Sequence, residues 1–191
     1  MPNWCQNVIY VSHEDEKKMM ALKDAIMNND LCDHIIPYPR VFEGIHSGSC
    51  TIDGEQHSVW RTDAPEGATF LERMDANNIA IPKEEQGELR ARYGTVDPSE
   101  WTRNNWGTKW DISDVQEAGM KNDKYVFKFD TAWSPPIPVY EEMERQGFQI
   151  LARYVEYGMG YFGHYSDGND ICGELTDDIM VRDEHLQEQY A

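Results

Sequence analysis

The chain has 191 residues, with 17 Lys and Arg against 35 Asp and Glu, a formal net charge of −18, and 40% apolar and 12% aromatic residues. That is enough apolar mass for a real core, which excludes a disordered chain, and the charge opposes phosphate backbones and anionic membranes, so no direct nucleic-acid or membrane partner is expected. No stretch approaches the roughly 20 apolar residues of a membrane span, and "MPNWCQNVIYV" lacks the pattern of a signal peptide, so the reading is cytoplasmic.

Residues 4–11, "WCQNVIYV", predict a strand. "SHEDEKKMMALKDAIMNND" follows as a helix, with Ser12 as the expected N-cap and Met19, Leu22 and Ile26 as its apolar stripe. "HIIPYPR" is then extended, because two prolines forbid a helix. From Val41 to about Asp97 the chain turns polar and irregular. Two helices are expected there, one capped by Asp63 with Glu66 three residues on, the other running from Pro82 to Gly94. Residues 44–100 read as an insertion, helical and irregular, within a single domain of residues 1–191.

"DPSEWTRNN" has a helix signature, with Asp97 as cap and Pro98 at the first position. Gly107 ends that helix and opens "WGTKWDI", read as a strand with Trp106, Thr108, Trp110 and Ile112 on one face and Lys109 and Asp111 on the other. "YVFKFDTAW" alternates likewise, and the two strands are expected to pair. A helix entered at Ser134 and closed by Gly147 leads to "FQILARYVEYG", read as a central strand. "YFGHYSDG" completes a hairpin with it, and "CGELTDDIMV" adds an edge. The sum is α+β, a sandwich of one mainly antiparallel sheet covered by two helices, as in a ferredoxin-like fold.

"MPNWCQN", "IIPYP", "NWGTKWDI", "FDTAWSPPIPV" and "YVEYGMGYFG" resemble the YubB-like family, phage- and plasmid-borne proteins with a ferredoxin-like domain. The resemblance implies that fold, residence in a host cytoplasm and an accessory role such as countering host defence. It implies no iron–sulfur cluster, because the clustered cysteines such a cluster needs are missing.

Three of the six tryptophans, Trp101, Trp106 and Trp110, surround that glycine and lysine. Indole faces stack on planar rings, and Lys or Arg neutralises an anion. The candidate ligand site is therefore Trp101, Arg103, Trp106, Trp133 and Ser134, with Lys109, Asp111, Asp130, Arg153 and Glu156 as a charged set that parity sends to the other sheet face. Trp110, Phe127 and Phe129 are expected in the core, and Trp106 and Trp133 at the pocket. A small anionic or nucleotide-like ligand is preferred. The alternatives are an acidic, DNA-mimic-like surface for a basic host protein, and an enzyme using carboxylates and lysine. No nucleophile-and-base motif supports the enzyme, and a lone strand histidine, His164, is more often simply hydrogen-bonded.

The four cysteines, Cys5, Cys32, Cys50 and Cys172, are widely spaced and read as free thiols. Cys32, His34, His46, Cys50 and His57 offer zinc-ligating atoms, but their spacing matches no common finger. "DGNDIC" puts Ile171 and Cys172 where a calcium loop needs oxygen and glycine. No metal and no cofactor is assigned.

Overall fold

The computed structural model describes residues 3–64, 69 and 76–176. The chain divides into two compact units, one of residues 1–37 and 105–191, the other Tyr38–Asn104. The first is built on a six-stranded sheet, the second on a three-stranded one. Among the described residues, no helix is long and apolar enough to cross a membrane.

In the first unit β1 (Trp4–Ser12) lies in the middle of the sheet, antiparallel to both β6 (Lys124–Ala132) and β7 (Gln149–Glu156). β5 (Ser113–Lys121) pairs outside β6, and β8 (Tyr161–Ser166) and β9 (Asn169–Glu174) follow β7, giving the order β5-β6-β1-β7-β8-β9. Strand parity decides what each face becomes. Cys5, Asn7, Ile9 and Val11 are buried, in register with Thr131, Phe129, Phe127 and Tyr125 on one side and Glu156, Tyr154, Ala152 and Ile150 on the other.

The helices of this unit are α1 (Glu16–Met27), α2 (Leu31–Ile35) and α5 (Ile137–Arg145). They lay Met19, Leu22, Ile26, Leu31, Val139, Tyr140 and Met143 into the core. Buried polar groups on this face are matched to one another: Asn7 Nδ2 donates to Cys5 O and Thr131 Oγ1, and Tyr140 donates to Asn7 Oδ1 at 3.1 Å. One side chain thus ties β1, β6 and α5 together, avoiding the cost of an orphaned buried amide.

Several local expectations need correction. Asp15, not Ser12, caps α1, its carboxylate accepting from Lys17 N. "HIIPYPR" is not uniformly extended: α2 takes its first residues, and a 3-10 turn follows at Arg40–Phe42. The strand expected in "WGTKWDI" starts only at Ser113. Residues 107–112 are irregular, because Gly107 (φ 79°) redirects the chain and Asp111 is recruited elsewhere. Phe127 and Phe129 are in the core as expected.

The second unit holds β2 (Ile45–Ile52), β3 (Glu55–Thr62), β4 (Asn78–Ala80), α3 (Lys83–Tyr93) and the start of α4 (Pro98–Trp106). The helix from Pro82 to Gly94 is present, with Gly94 at φ 81° as its stop. The helix expected at Asp63 falls largely outside the described residues, although Asp63 itself accepts from Asn77 N and Nδ2. The β2–β3 hairpin was not read from the sequence, yet its turn is an Asp53–Gly54 pair with both φ values positive, the strongest short hairpin signal there is. This unit also has its own aromatic core: Phe42 lies 5.4 Å from Tyr93 and 6.4 Å from Trp101, and Tyr38 stands edge-on to Trp101.

Candidate functional site

The ten residues singled out in the sequence do not form one cluster. Trp101 and Arg103 belong to the second unit and the other eight to the first. Trp101 is buried in the second unit's aromatic core, and Arg103 is exposed. Trp106 is not a pocket wall: it is 6% exposed, and its Nε1 donates to Ile36 O at 2.8 Å. An indole with its face buried and its one donor satisfied is a core residue.

Trp110 departs from expectation in the opposite direction. It is 45% exposed, and Trp4 and Trp133 are 42% and 40% exposed. The Trp4 and Trp110 rings lie 6.4 Å apart, tilted by 44°. Lys109 Nζ stands 4.9 Å from the Trp110 ring centroid and 5.8 Å from that of Trp133. Strand parity would have sent Lys109 and Trp110 to opposite sides. Because residues 107–112 are not a strand, the ammonium instead shares a surface with two indoles. Trp4 was missed in the sequence. Its signal was its position: it opens β1, beside the end of β6, with parity opposite to buried Cys5.

The local backbone holds this arrangement firmly. Gly107 admits no side chain, since a Cβ there would lie 2.8 Å from Pro138 Cδ and 3.1 Å from Pro135 O. Ser134 Oγ donates to Gly107 O at 2.5 Å, and Thr108 Oγ1 donates to Ala132 O and accepts from Ala132 N. Ser134 is thus a staple between two loops rather than the cap of α5, whose N-cap is Pro136. Trp133 has φ 69°, a conformation that costs a bulky residue about 1–3 kcal/mol. Two bonds hold it there: Trp133 N donates to Asn3 O at 2.9 Å, and Tyr161 donates to Trp133 O at 2.6 Å. Strain kept at an exposed aromatic residue marks a position whose geometry matters.

The carboxylates are employed differently from the charged set the sequence suggested. Asp111 accepts from Cys32 N and Asp33 N, each at 2.9 Å, and from Ile112 N at 2.8 Å. It caps α2 from a distance, where the local N-cap, Asp30, makes no side-chain bond. Burial raises the Asp111 carboxyl above its ordinary range despite those donors. Glu156 is 1% exposed, on the helix-covered face, and accepts from Gly158 N and Met159 N in the β7–β8 turn. Both acids are spent on backbone amides. Asp130 and Arg153 do share the other sheet face, but on strands flanking β1, with burial and then Asp114 raising the Asp130 carboxyl.

The zinc-ligating candidates divide as well. Cys32 is buried in the first unit, while Cys50 sits opposite His57 on the second unit's hairpin and receives a bond from Asn78 Nδ2 at 3.1 Å. Among the described residues, no three His, Cys, Asp or Glu side chains gather as a metal-holding group.

What the first unit presents, then, is a lysine ammonium over the half-exposed indoles of Trp110 and Trp133, with Trp4 of β1 beside Trp110, next to loops fixed by a glycine, a serine and a threonine. Such a surface can stack a planar ring and neutralise an attached anion. Neither a family model nor a curated protein matches the chain. Among solved structures it is similar to the crystal structure of protein api92 from Yersinia pseudotuberculosis, labelled DUF1281, with 12% sequence identity and a TM-score of 0.44, over 92% of this chain and 99% of that one.

Proposed function

We propose that this protein is a non-enzymatic binding protein that takes a small planar anion, nucleotide-like in chemistry, on the tryptophan–lysine surface of Trp4, Lys109, Trp110 and Trp133. The accessory role in a phage or plasmid, countering host defence, is the setting that the YubB-like resemblance supplies. The fold belongs to the same reading. The succession β1-α1-β5-β6-α5-β7 with the spatial order β7-β1-β6-β5 supports a ferredoxin-like core, to which β8 and β9 are added.

The observation that carries the reading is the Lys109 ammonium between two half-exposed indole rings. Large aromatic surface left in water is unfavourable unless something covers it, and base-on-indole stacking contributes about 1–3 kcal/mol per base. Lys109 provides the charge that an otherwise acidic chain needs to hold an anion. A carboxylate-driven reaction finds less support, because Asp111 and Glu156 already serve backbone amides.

Thymidine 5′-monophosphate titrated against intrinsic tryptophan fluorescence tests this. Saturable quenching is expected, absent in Trp110→Ala and weakened about tenfold in Lys109→Gln, the loss of one charge-assisted contact. Thymidine without phosphate should bind more weakly than the monophosphate. Unsaturable quenching that is unchanged in Trp110→Ala would refute the site.

A further inference from the structure

Left-handed backbone is uncomfortable for most L-residues, and this chain reserves it for suitable ones with a single departure. Among the described residues, the non-glycine positions with positive φ are Asn29, Asp53, Asp114, Asn122, Asp123, Asp167 and Trp133. Asn and Asp tolerate the left-handed region because their short side chains can bond the local backbone. An indole cannot. At φ 69° Trp133 is the one large side chain in that set, and a glycine or asparagine would form the same turn between β6 and α5 with less strain. The core does not demand the ring either: it is half-exposed, with the Lys109 ammonium 5.8 Å from its centroid. A residue that strains the backbone while leaving much of its ring in water is kept for something the ring meets.

Bonds from several elements hold the strained unit. Trp133 N donates to Asn3 O, just ahead of β1, at 2.9 Å, and Thr131 Oγ1 donates to Ser134 O at 2.8 Å. From the start of β8 the Tyr161 hydroxyl donates to Trp133 O at 2.6 Å. Tyr161 is in register with Glu156, which is in register with Cys5, and the Cys5 thiol is a second hydrogen-bond neighbour of the Tyr161 hydroxyl. A phenol has one proton to give. With that proton on Trp133 O, the phenolic oxygen accepts from the thiol. Burial pushes the Cys5 thiol up to about 12 and the Tyr161 hydroxyl above its ordinary value, so both keep their protons at neutral pH.

We infer that Trp133 is a ligand-stacking residue and that Tyr161 is its positioning residue, the hydroxyl fixing the Trp133 carbonyl and with it the direction of the indole. The inference rests on the nucleotide-like reading of the tryptophan–lysine surface and adds a residue that acts through another. Without the hydroxyl, the peptide unit after Trp133 loses a fixed end. The ring then spreads over several orientations, and binding must supply the ordering that the bond now provides in advance.

The test is a double-mutant cycle on Tyr161→Phe and Trp133→Asn, with the affinity for thymidine 5′-monophosphate read by calorimetry. Asparagine suits the left-handed backbone, so the second variant removes the indole without adding strain. Trp133→Asn should weaken binding about tenfold, the loss of one stacking face. Tyr161→Phe should weaken it about fivefold, and the double variant should bind no more weakly than Trp133→Asn alone. Unchanged affinity in Tyr161→Phe, whatever happens to its urea midpoint, overturns the inference. So does an equal loss from Tyr161→Phe with and without the indole. A measurement without ligand keeps the two readings apart. In the proton–nitrogen spectrum Tyr161→Phe should move the Trp133 indole N–H signal, assigned by its loss in Trp133→Asn, and leave those of Trp101 and Trp106 in place. An unmoved Trp133 signal overturns the inference even where the monophosphate binds wild-type protein. A moved signal with no binding to wild-type protein removes the nucleotide-like reading and the positioning role together.

Discussion

The two faces of the six-stranded sheet use the same strands to opposite ends. On one, Cys5, Asn7 and Ile9 lie under helices, and each buried polar atom is paired: Asn7 with Thr131 and Tyr140, Glu156 with the β7–β8 turn. On the other, Trp4, Lys128, Arg153 and Phe162 stay wholly or partly in solvent. A shift of one residue along β1 separates side chains spent on the core from side chains that reach solvent. Asp111 and Lys109 repeat the contrast two residues apart, the acid fixed to the α2 amides and the ammonium held over indole faces.

Substitutions should separate the faces. The largest effect is expected from Phe127→Ala, which empties a fully buried ring site and should cost about 3–5 kcal/mol in urea unfolding. A loss below about 1 kcal/mol would contradict a packed core on that face. Asp111→Ala comes next. It leaves the Cys32 and Asp33 amides without their acceptor, a loss of about 1–3 kcal/mol. Hydrogen exchange should then quicken in α2 and stay unchanged in β7.

The third prediction concerns pH. Burial pushes the Cys5 thiol up from 9.0 to about 12. The unfolded thiol ionises first, so its contribution to stability is complete below about pH 9 and is lost as pH rises toward 12. Cys5→Ala should therefore lose less stability than wild type between pH 9 and pH 11, as followed by thermal melts. A steeper loss in the variant would reverse the assigned sign. The smallest stability effects belong to the open face: Trp110→Ala and Arg153→Gln should each stay within about 0.5 kcal/mol of wild type by urea unfolding. A drop of several kcal/mol for Trp110→Ala would return that residue to the core.

How far the sequence could be read followed from its periodicity. "WCQNVIYV" and "YVFKFDTAW" alternate cleanly, so the buried rows of β1 and β6, with Phe127 and Phe129, were legible. "WGTKWDI" imitates alternation without being a strand. There Gly107 turns the chain and tertiary bonds from Ser134 and to Cys32 set the path, which no local period records. That is why Trp106 and Trp110 exchanged their expected places. Glu156 was read into a charged set on the other sheet face because sequence cannot show that its oxygens receive the Gly158 and Met159 amides. The β2–β3 hairpin was concealed by a polar, bulged strand around Gly48, although Asp53–Gly54 announced its turn.

The most direct measurement follows the six tryptophan indole N–H signals by proton–nitrogen NMR while thymidine 5′-monophosphate is added. The account predicts that the signals of Trp4, Trp110 and Trp133 shift together and saturably, while those of buried Trp101 and Trp106 stay in place. Shifts confined to Trp101 or Trp106, or none at any indole, would contradict it.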